Sequence, residues 1–114
     1  MSDCLFCKII NGEIPSEKVY EDDDIYAFRD ITPVAPLHAL IIPKKHIASI
    51  NELENNDAET MGKLFLAAKK IAADEGYTDK GFRTVMNCGE DAGQTVFHVH
   101  LHVLAGRDLN WPPG

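Results

Sequence analysis

Residues 98–104 read His-Val-His-Leu-His-Val-Leu. An extended chain alternates its side chains between two faces, so His98, His100 and His102 are expected on one face and Val99, Leu101 and Val103 on the other. Neighbours on one face lie about 6.5–7 Å apart, twice the rise per residue. The valine–leucine face has the character of a core. With five histidines in 114 residues, three at alternate positions arise by chance in roughly one such chain in a hundred. A solvated edge strand has no use for such a row. Imidazole, however, can ligate a metal, or act as nucleophile and acid–base group near pH 7. The preceding Gly93-Gln-Thr95 adds flexible backbone, N–H groups and a hydroxyl, a combination suited to phosphate oxygens. Alone it would pass for a turn. Beside a bound phosphate, a neutral histidine can attack phosphorus while nearby donors stabilise the developing charge.

A second candidate lies near residue 1. Cys4-x-x-Cys7 has the spacing of half a zinc site, and zinc takes four tetrahedral ligands. Cys88 is available as a third, and two buried thiols without metal satisfy the same spacing. A redox pair is the weaker reading, because no thioredoxin-like strand–helix–strand pattern surrounds it. Three cysteines leave an odd one under any pairing. That disfavours a secreted disulfide framework and points to a reducing cytoplasm. The opening residues Met1–Ile10 are acidic at the start and carry a lysine within their apolar stretch, unlike a secretory signal or a spanning helix.

These residues need a scaffold, and the chain length fits a single domain over 1–114. Hydrophobic residues make up 45% and charged residues 25%, values of a globular protein rather than a disordered one. The net charge of −7 repels a phosphate backbone and anionic lipid, so neither nucleic acid nor a membrane surface is an expected partner. Residues 4–11 suggest a short helix ended by Gly12. Val19-Tyr20 and 25–28 suggest two strands about the acidic turn 21–24. Two prolines make 31–36 an irregular loop. Residues 38–42, closed by Pro43, form an apolar strand buried on both faces. Met61, Leu64, Phe65, Ala68, Ile71 and Ala72 recur at helical spacing and are expected on one buried face. Asn56 with Glu59 suggests the cap of that helix, and Gly76 its end. Two more strands, 82–87 and 96–104, flank the loop 88–95, and the tail Trp111-Pro-Pro-Gly114 is irregular. The expected class is α+β: a five-stranded, mostly antiparallel, meander-like sheet with one long helix and a short N-terminal one.

His98-Val-His100-Leu-His102-Val-Leu104 resembles the signature of the histidine triad (HIT) superfamily. The likeness extends over nearly the whole chain, through 28–31, Pro36-Leu-His38, 42–46, Asn87, 93–95 and 111–114. It is similar in detail to the histidine triad nucleotide-binding branch, the purine nucleoside phosphoramidate hydrolases. That resemblance implies a HIT-like fold in which His100 attacks the α-phosphorus to form a nucleotidyl-histidine. It implies that His38 orients and polarises the nucleophile, that His102 contacts phosphate oxygens, and that Asn87, Gly93, Gln94 and Thr95 hold phosphate and leaving group. Asp30 would accept the ribose hydroxyls, with Phe28 and Ile31 enclosing the base. Thr95 stands where a serine is frequent, keeping the hydroxyl and adding a methyl group. No divalent cation is implied for the chemistry. Relatives with this Cys-x-x-Cys imply structural zinc on Cys4, Cys7, His46 and His98, which would make His98 a ligand rather than an acid–base group. A homodimer joined through the long helix and a sheet strand is also implied, with the Trp111–Gly114 tail near the partner's site.

Four functions compete. The first is hydrolysis of purine nucleoside monophosphate phosphoramidates, extending to acyl-adenylates, and the second is hydrolysis of dinucleoside polyphosphates. The third is a non-catalytic nucleotide-binding or scaffold protein. The fourth, a metal enzyme ligated by all three triad histidines, leaves Asp30 and 93–95 without a role. The superfamily's uridylyltransferase branch is disfavoured, because a proline usually stands there in place of Val99.

Overall fold

The computed structural model describes residues 3–114. In chain order the elements are α1 (Leu5–Ile10), β1 (Lys18–Glu21), β2 (Ile25–Arg29), β3 (Leu37–Pro43), single 3-10 turns at Ile50–Glu52 and Asn55–Asp57, α2 (Ala58–Asp74), β4 (Arg83–Val85) and β5 (Leu101–Ala105). The strands form one five-stranded sheet in the order β1-β2-β3-β5-β4, and every neighbouring pair is antiparallel. This is the expected α+β class. The meander, however, covers only β1 to β3. The chain then crosses through α2 to the edge strand β4 and returns to insert β5 beside β3.

Alternation along the strands sorts the sheet into two faces. Ile25, Ala27, Leu37, Ala39, Ile41, Leu101, Val103 and Ala105 pack under Leu64, Ala67, Ala68 and Ile71 of α2. Tyr26, Phe28, Leu40 and Ile42 point the other way and pack with Phe6 and Ile9 of α1. β3 is therefore buried along its whole length, as its apolar run predicts. The polar members of the second face, His38 and His102, are thereby placed opposite α2 and beside α1.

Both helices end in the same device. Gly12 and Gly76 adopt φ +80° and +90°. After α1 the Gly12 N–H bonds Ile9 O and the Glu13 N–H bonds Lys8 O; after α2 the Gly76 N–H bonds Ala73 O and the Tyr77 N–H bonds Ala72 O. Each is a Schellman closure that satisfies carbonyls left over by the last turn.

Four details depart from the sequence expectation. The strand carrying the triad begins at Leu101, not Val96. The β3–β5 register runs from Leu37 opposite Ala105 to Ile41 opposite Leu101, so its continuation would set Val99 against Pro43, which has no N–H to give. The Val99 N–H instead bonds Ile47 O at 2.7 Å, which carries the chain out of the ladder. β4 keeps only Arg83–Val85 of the expected 82–87. The capping box is built by Glu54 and Asp57 at the 3-10 turn leading into α2, two residues ahead of Asn56 and Glu59. Phe65 is 53% exposed. The buried arc of α2 is turned towards Ala67, and its remaining members Leu64, Ala68, Ile71 and Ala72 leave Phe65 on the margin.

The turn after β5 depends on one glycine. Gly106 has φ +99°, and a Cβ there would lie 2.7 Å from Pro36 Cβ and 2.9 Å from the Tyr77 hydroxyl. Gly106→Ala is expected to cost about 2–4 kcal/mol in chemical denaturation, combining backbone strain with overpacking. Gly12→Ala, with open space around it, is expected to cost only about 1–2 kcal/mol. Equal losses for the two would show that the close approach at Pro36 carries no energy.

Candidate active site and metal cluster

The histidines divide between two clusters that share a boundary. On the β3/β5 side, the Val34 N–H donates to His38 Nδ1 at 3.1 Å. That nitrogen must then be the acceptor, so in the neutral ring the proton sits on Nε2. His38 Nε2 lies 2.9 Å from His102 Nδ1 and 3.3 Å from Asp30 Oδ2. His102 thus accepts at Nδ1 and carries its own proton on Nε2. Burial lowers the His38 pKa, offset in part by Asp30. Burial first, then the imidazoles of His100 and His38, push His102 down to about 4. At neutral pH His102 is an uncharged donor.

His100 is 6% exposed, and its Nδ1 lies 2.8 Å from the carbonyl oxygen of His98. A carbonyl can only accept, so His100 carries a proton on Nδ1, and in the neutral ring the unshared pair is on Nε2. The ring centroids of His100 and His102 are 5.1 Å apart. Both rings line a cavity of about 460 Å³, within the usual range of about 300–1,000 Å³ for small-molecule sites. Phe28, Asp30, Ile31, Asn87, Gly93 and Thr95 also face it. Phe28 is buried, while Ile31 stands 95% exposed at the rim. Asp30 Oδ1 accepts the Thr32 N–H at 2.8 Å, which fixes the carboxylate at the end of β2.

One expected participant lies outside the cavity wall, and another neighbours the triad through His102. Gln94 does not line the cavity: it is buried, its Nε2 donates to Ala48 O and Val96 O, and its Oε1 accepts the Gly89 N–H. Its side chain tightens the 88–95 loop. The Gly93 and Gln94 amides are likewise used within that loop, on Glu90 O and Gly89 O. His38 stands behind His102 rather than in the wall.

His98 faces away from this cavity. It is fully buried, and its Nε2–H donates to Pro43 O at 2.8 Å. Burial pushes its pKa down to about 4, so the ring is neutral with an unshared pair on Nδ1. That nitrogen lies 3.4 Å from Cys4 Sγ, 3.6 Å from Cys7 Sγ and 3.3 Å from His46 Nδ1, and Cys7 Sγ lies 3.5 Å from His46 Nδ1. A zinc tetrahedron with metal–sulfur bonds of about 2.3 Å and metal–nitrogen bonds of about 2.0–2.1 Å has edges of about 3.3–3.8 Å. All four measured edges fall within it. A ligand imidazole held by a carbonyl on its other nitrogen is the usual support of such a site. The donor set fits zinc. Cys88 is not part of this group. The four residues reach it from the start of α1, the segment after β3 and the segment before β5.

Several contributors escaped the sequence reading. Phe6, between the two cysteines, is buried with its ring 5.1 Å from His100 and 5.4 Å from Phe28. The Val34 amide and the Pro43 carbonyl act through their backbone, which no side-chain motif reveals. Phe6 and Ile9 are three residues apart on α1, and that spacing was the one available signal.

The His102 environment has a consequence for stability. Its folded pKa lies below the unfolded value of about 6.5, so its contribution is fully present above pH 6.5 and is lost as pH falls towards 4. Allowing for the ring's partial exposure, wild type is expected to lose about 1–2 kcal/mol more than His102→Asn between pH 7 and pH 4.5. Denaturant midpoints measure this, and parallel losses would remove His102 from the account.

The fold and these clusters together define a class: a five-stranded α+β domain with a hydrogen-bonded histidine pair beside two cysteines and two histidines that could hold a metal. Its family follows from comparison with known proteins. The HIT domain profile matches residues 11–109, and the chain belongs to the HIT domain family. It is 53% identical over 112 residues to an uncharacterized HIT-like protein of Synechococcus elongatus, covering 98% of this chain and 97% of that one. It is 47% identical to a 14 kDa zinc-binding protein of Brassica juncea, covering 98% of this chain and all of that one. Among solved structures, a HIT family hydrolase from Legionella pneumophila superposes with a TM-score of 0.96 at 54% identity, covering 98% of this chain and all of the other. Among the described residues, no helix is long and apolar enough to cross a membrane.

Proposed function

We propose that this chain hydrolyses phosphoramidates of purine nucleoside monophosphates, extending to acyl-adenylates, through a nucleotidyl-histidine at His100. The observation that carries the reading is the 2.8 Å contact from His100 Nδ1 to the His98 carbonyl, which leaves an unshared pair on Nε2 of a ring in the cavity wall. In this reaction Nε2 attacks the α-phosphorus while the His102 Nε2–H donates to a phosphoryl oxygen. The P–N bond breaks with its electron pair going to nitrogen. A water proton goes to that nitrogen, the amine departs, and the same water's oxygen ends on phosphorus, which frees His100 and the nucleoside monophosphate. Asp30 is suited to accept ribose hydroxyls, and Phe28 with Ile31 to enclose the base. Zinc on Cys4, Cys7, His46 and His98 supplies structure, not chemistry, in this scheme. Cysteine ligands must stay reduced, which makes the cytoplasm the proposed compartment.

The proposed assembly is a homodimer. Phe65 and Leu66 on α2 are exposed at 53% and 66%, and β4 leaves one edge of the sheet open beside the exposed Phe82. Sedimentation of Phe65→Asp tests this, with a monomer expected.

Turnover of adenosine 5′-phosphoramidate by the zinc-replete protein, against diadenosine polyphosphate at equal concentration, tests the activity. The amidate is expected to react at least about tenfold faster, because its amine needs no metal to leave. Faster cleavage of the polyphosphate would reassign the substrate, and tight nucleotide binding without turnover of either would make this a binding protein.

A further inference from the structure

We infer that the Cys4–Cys7–His46–His98 cluster is a positioning device for the nucleophile, acting through the peptide group between His98 and Val99. The inference rests on the nucleophilic role proposed for His100. The carbonyl of that peptide group accepts the His100 Nδ1–H at 2.8 Å, and its N–H donates to Ile47 O at 2.7 Å. The residue on one side of it, His98, belongs to the cluster. The residue before its other anchor, Ile47, is His46, which also belongs to the cluster. A metal joining His46 to His98 therefore clamps both ends of one peptide plane. His98 is further fixed through its Nε2–H on Pro43 O, so ring and main chain are held together.

A second route runs through α1. Phe6 sits between the ligands Cys4 and Cys7, and its ring packs edge-on against both His98 and His100, with centroids 6.0 and 5.1 Å away. A metal that fixes the two cysteines fixes the plate on which the nucleophile rests.

The chemical consequence is specific. A neutral imidazole carries its proton on one nitrogen, and the partner of the other nitrogen decides which. With the carbonyl of His98 locked towards His100, the proton is held on Nδ1 and the pair faces the cavity. When the peptide plane can rotate, that bond weakens, and the ring gains access to the form with its proton on Nε2, which cannot attack. The cluster thus controls the fraction of His100 that is chemically competent, while Asp30 is held separately, by the Thr32 N–H and His38.

The test compares zinc-loaded and chelated protein at one fixed pH. Nitrogen-15 spectra of the His100 ring are expected to show Nε2 unprotonated in the loaded form and a mixture of tautomers without metal. Phosphoramidate kcat is expected to fall about 10–100-fold, the usual effect of disturbing a supporting shell, with KM within twofold. Near-UV circular dichroism checks that the chelated chain keeps its packing. If it does not, His46→Ala serves instead: Cys4, Cys7 and His98 remain to hold zinc, only the Ile47 side of the clamp is loosened, and the same spectral mixture with a smaller kcat loss is expected. An unchanged His100 spectrum and unchanged kcat in a folded, metal-free or His46→Ala protein overturn the inference. Absence of turnover in the loaded wild type would instead overturn the catalytic reading, and the His100 spectrum would still report the clamp.

Discussion

Replacing His100 with alanine is expected to abolish phosphoramidate turnover, by about 10⁴-fold or more, while leaving the fold in place. The size follows from the role. A residue that forms the covalent intermediate cannot be replaced by water without giving up the two-step path, and nucleophile deletions are among the costliest known. Removing His102, which in the proposed reaction only donates to the phosphoryl group, is expected to cost about 10²-fold. The fold is expected to survive His100→Ala, because the ring lies at the cavity wall and water entering the space it vacates can take over the bond to the His98 carbonyl. Loss of turnover with an unaltered circular dichroism spectrum is the expected result. A variant within tenfold of wild type would place the nucleophile elsewhere.

Withdrawing the metal is expected to have the largest effect on stability. Zinc that binds the folded chain and not the unfolded one stabilises by RT ln(1 + [L]/Kd), about 4 kcal/mol at a thousandfold excess over Kd. For a chain of this length that corresponds to a Tm lower by roughly 12–24 °C after chelation. Cys4→Ser and Cys7→Ser should reproduce most of the drop in the presence of zinc, since each removes one of the two thiolates, the charged donors of a set whose edges match a tetrahedron. Cys88→Ser, outside the cluster, should not. Thermal melts with and without chelator decide this, and coincident curves would mean that the four residues hold no ion.

How much of this was legible in the sequence differs from residue to residue. Gly12 and Gly76 mark helix ends because a positive φ is cheap only for glycine, and Pro43 closes β3 where an apolar run meets a missing donor. The heptapeptide His98 to Leu104 points to its chemistry because three imidazoles at alternate positions have no structural use. Its geometry is less accessible. The period-two argument assumes a strand throughout, yet Pro43 breaks the ladder before Val99, and this sends His98 to the cysteines and His100 to the cavity. Alternation places side chains only while the partner strand can continue to pair. The resemblance sets Gln94 among phosphate ligands, whereas a buried amide with two donors and an acceptor first serves the loop that buries it. Phe65 falls outside the buried arc because helical spacing gives the arc's width, while its direction is set by what lies opposite, here the sheet face that includes Ala27, Ala39 and Ala105, which packs with Leu64, Ala67, Ala68 and Ile71.

The composition of the cavity wall bears on what happens after the reaction. Among the described residues it offers two imidazoles, an asparagine, a threonine and the Asp30 carboxylate, but no lysine or arginine. A phosphoramidate ester has one ionisable phosphoryl oxygen and carries a single negative charge. The monophosphate formed from it loses a second proton near pH 6. Above that pH the product is more anionic than the substrate, in a site with one fixed carboxylate and no fixed cation. An arginine-lined pocket would hold its product more tightly than its substrate; with this wall the reverse is expected. Product inhibition should therefore weaken as pH rises through about 6, so that under the proposed reaction each turnover lowers the grip of the site on what it has just made.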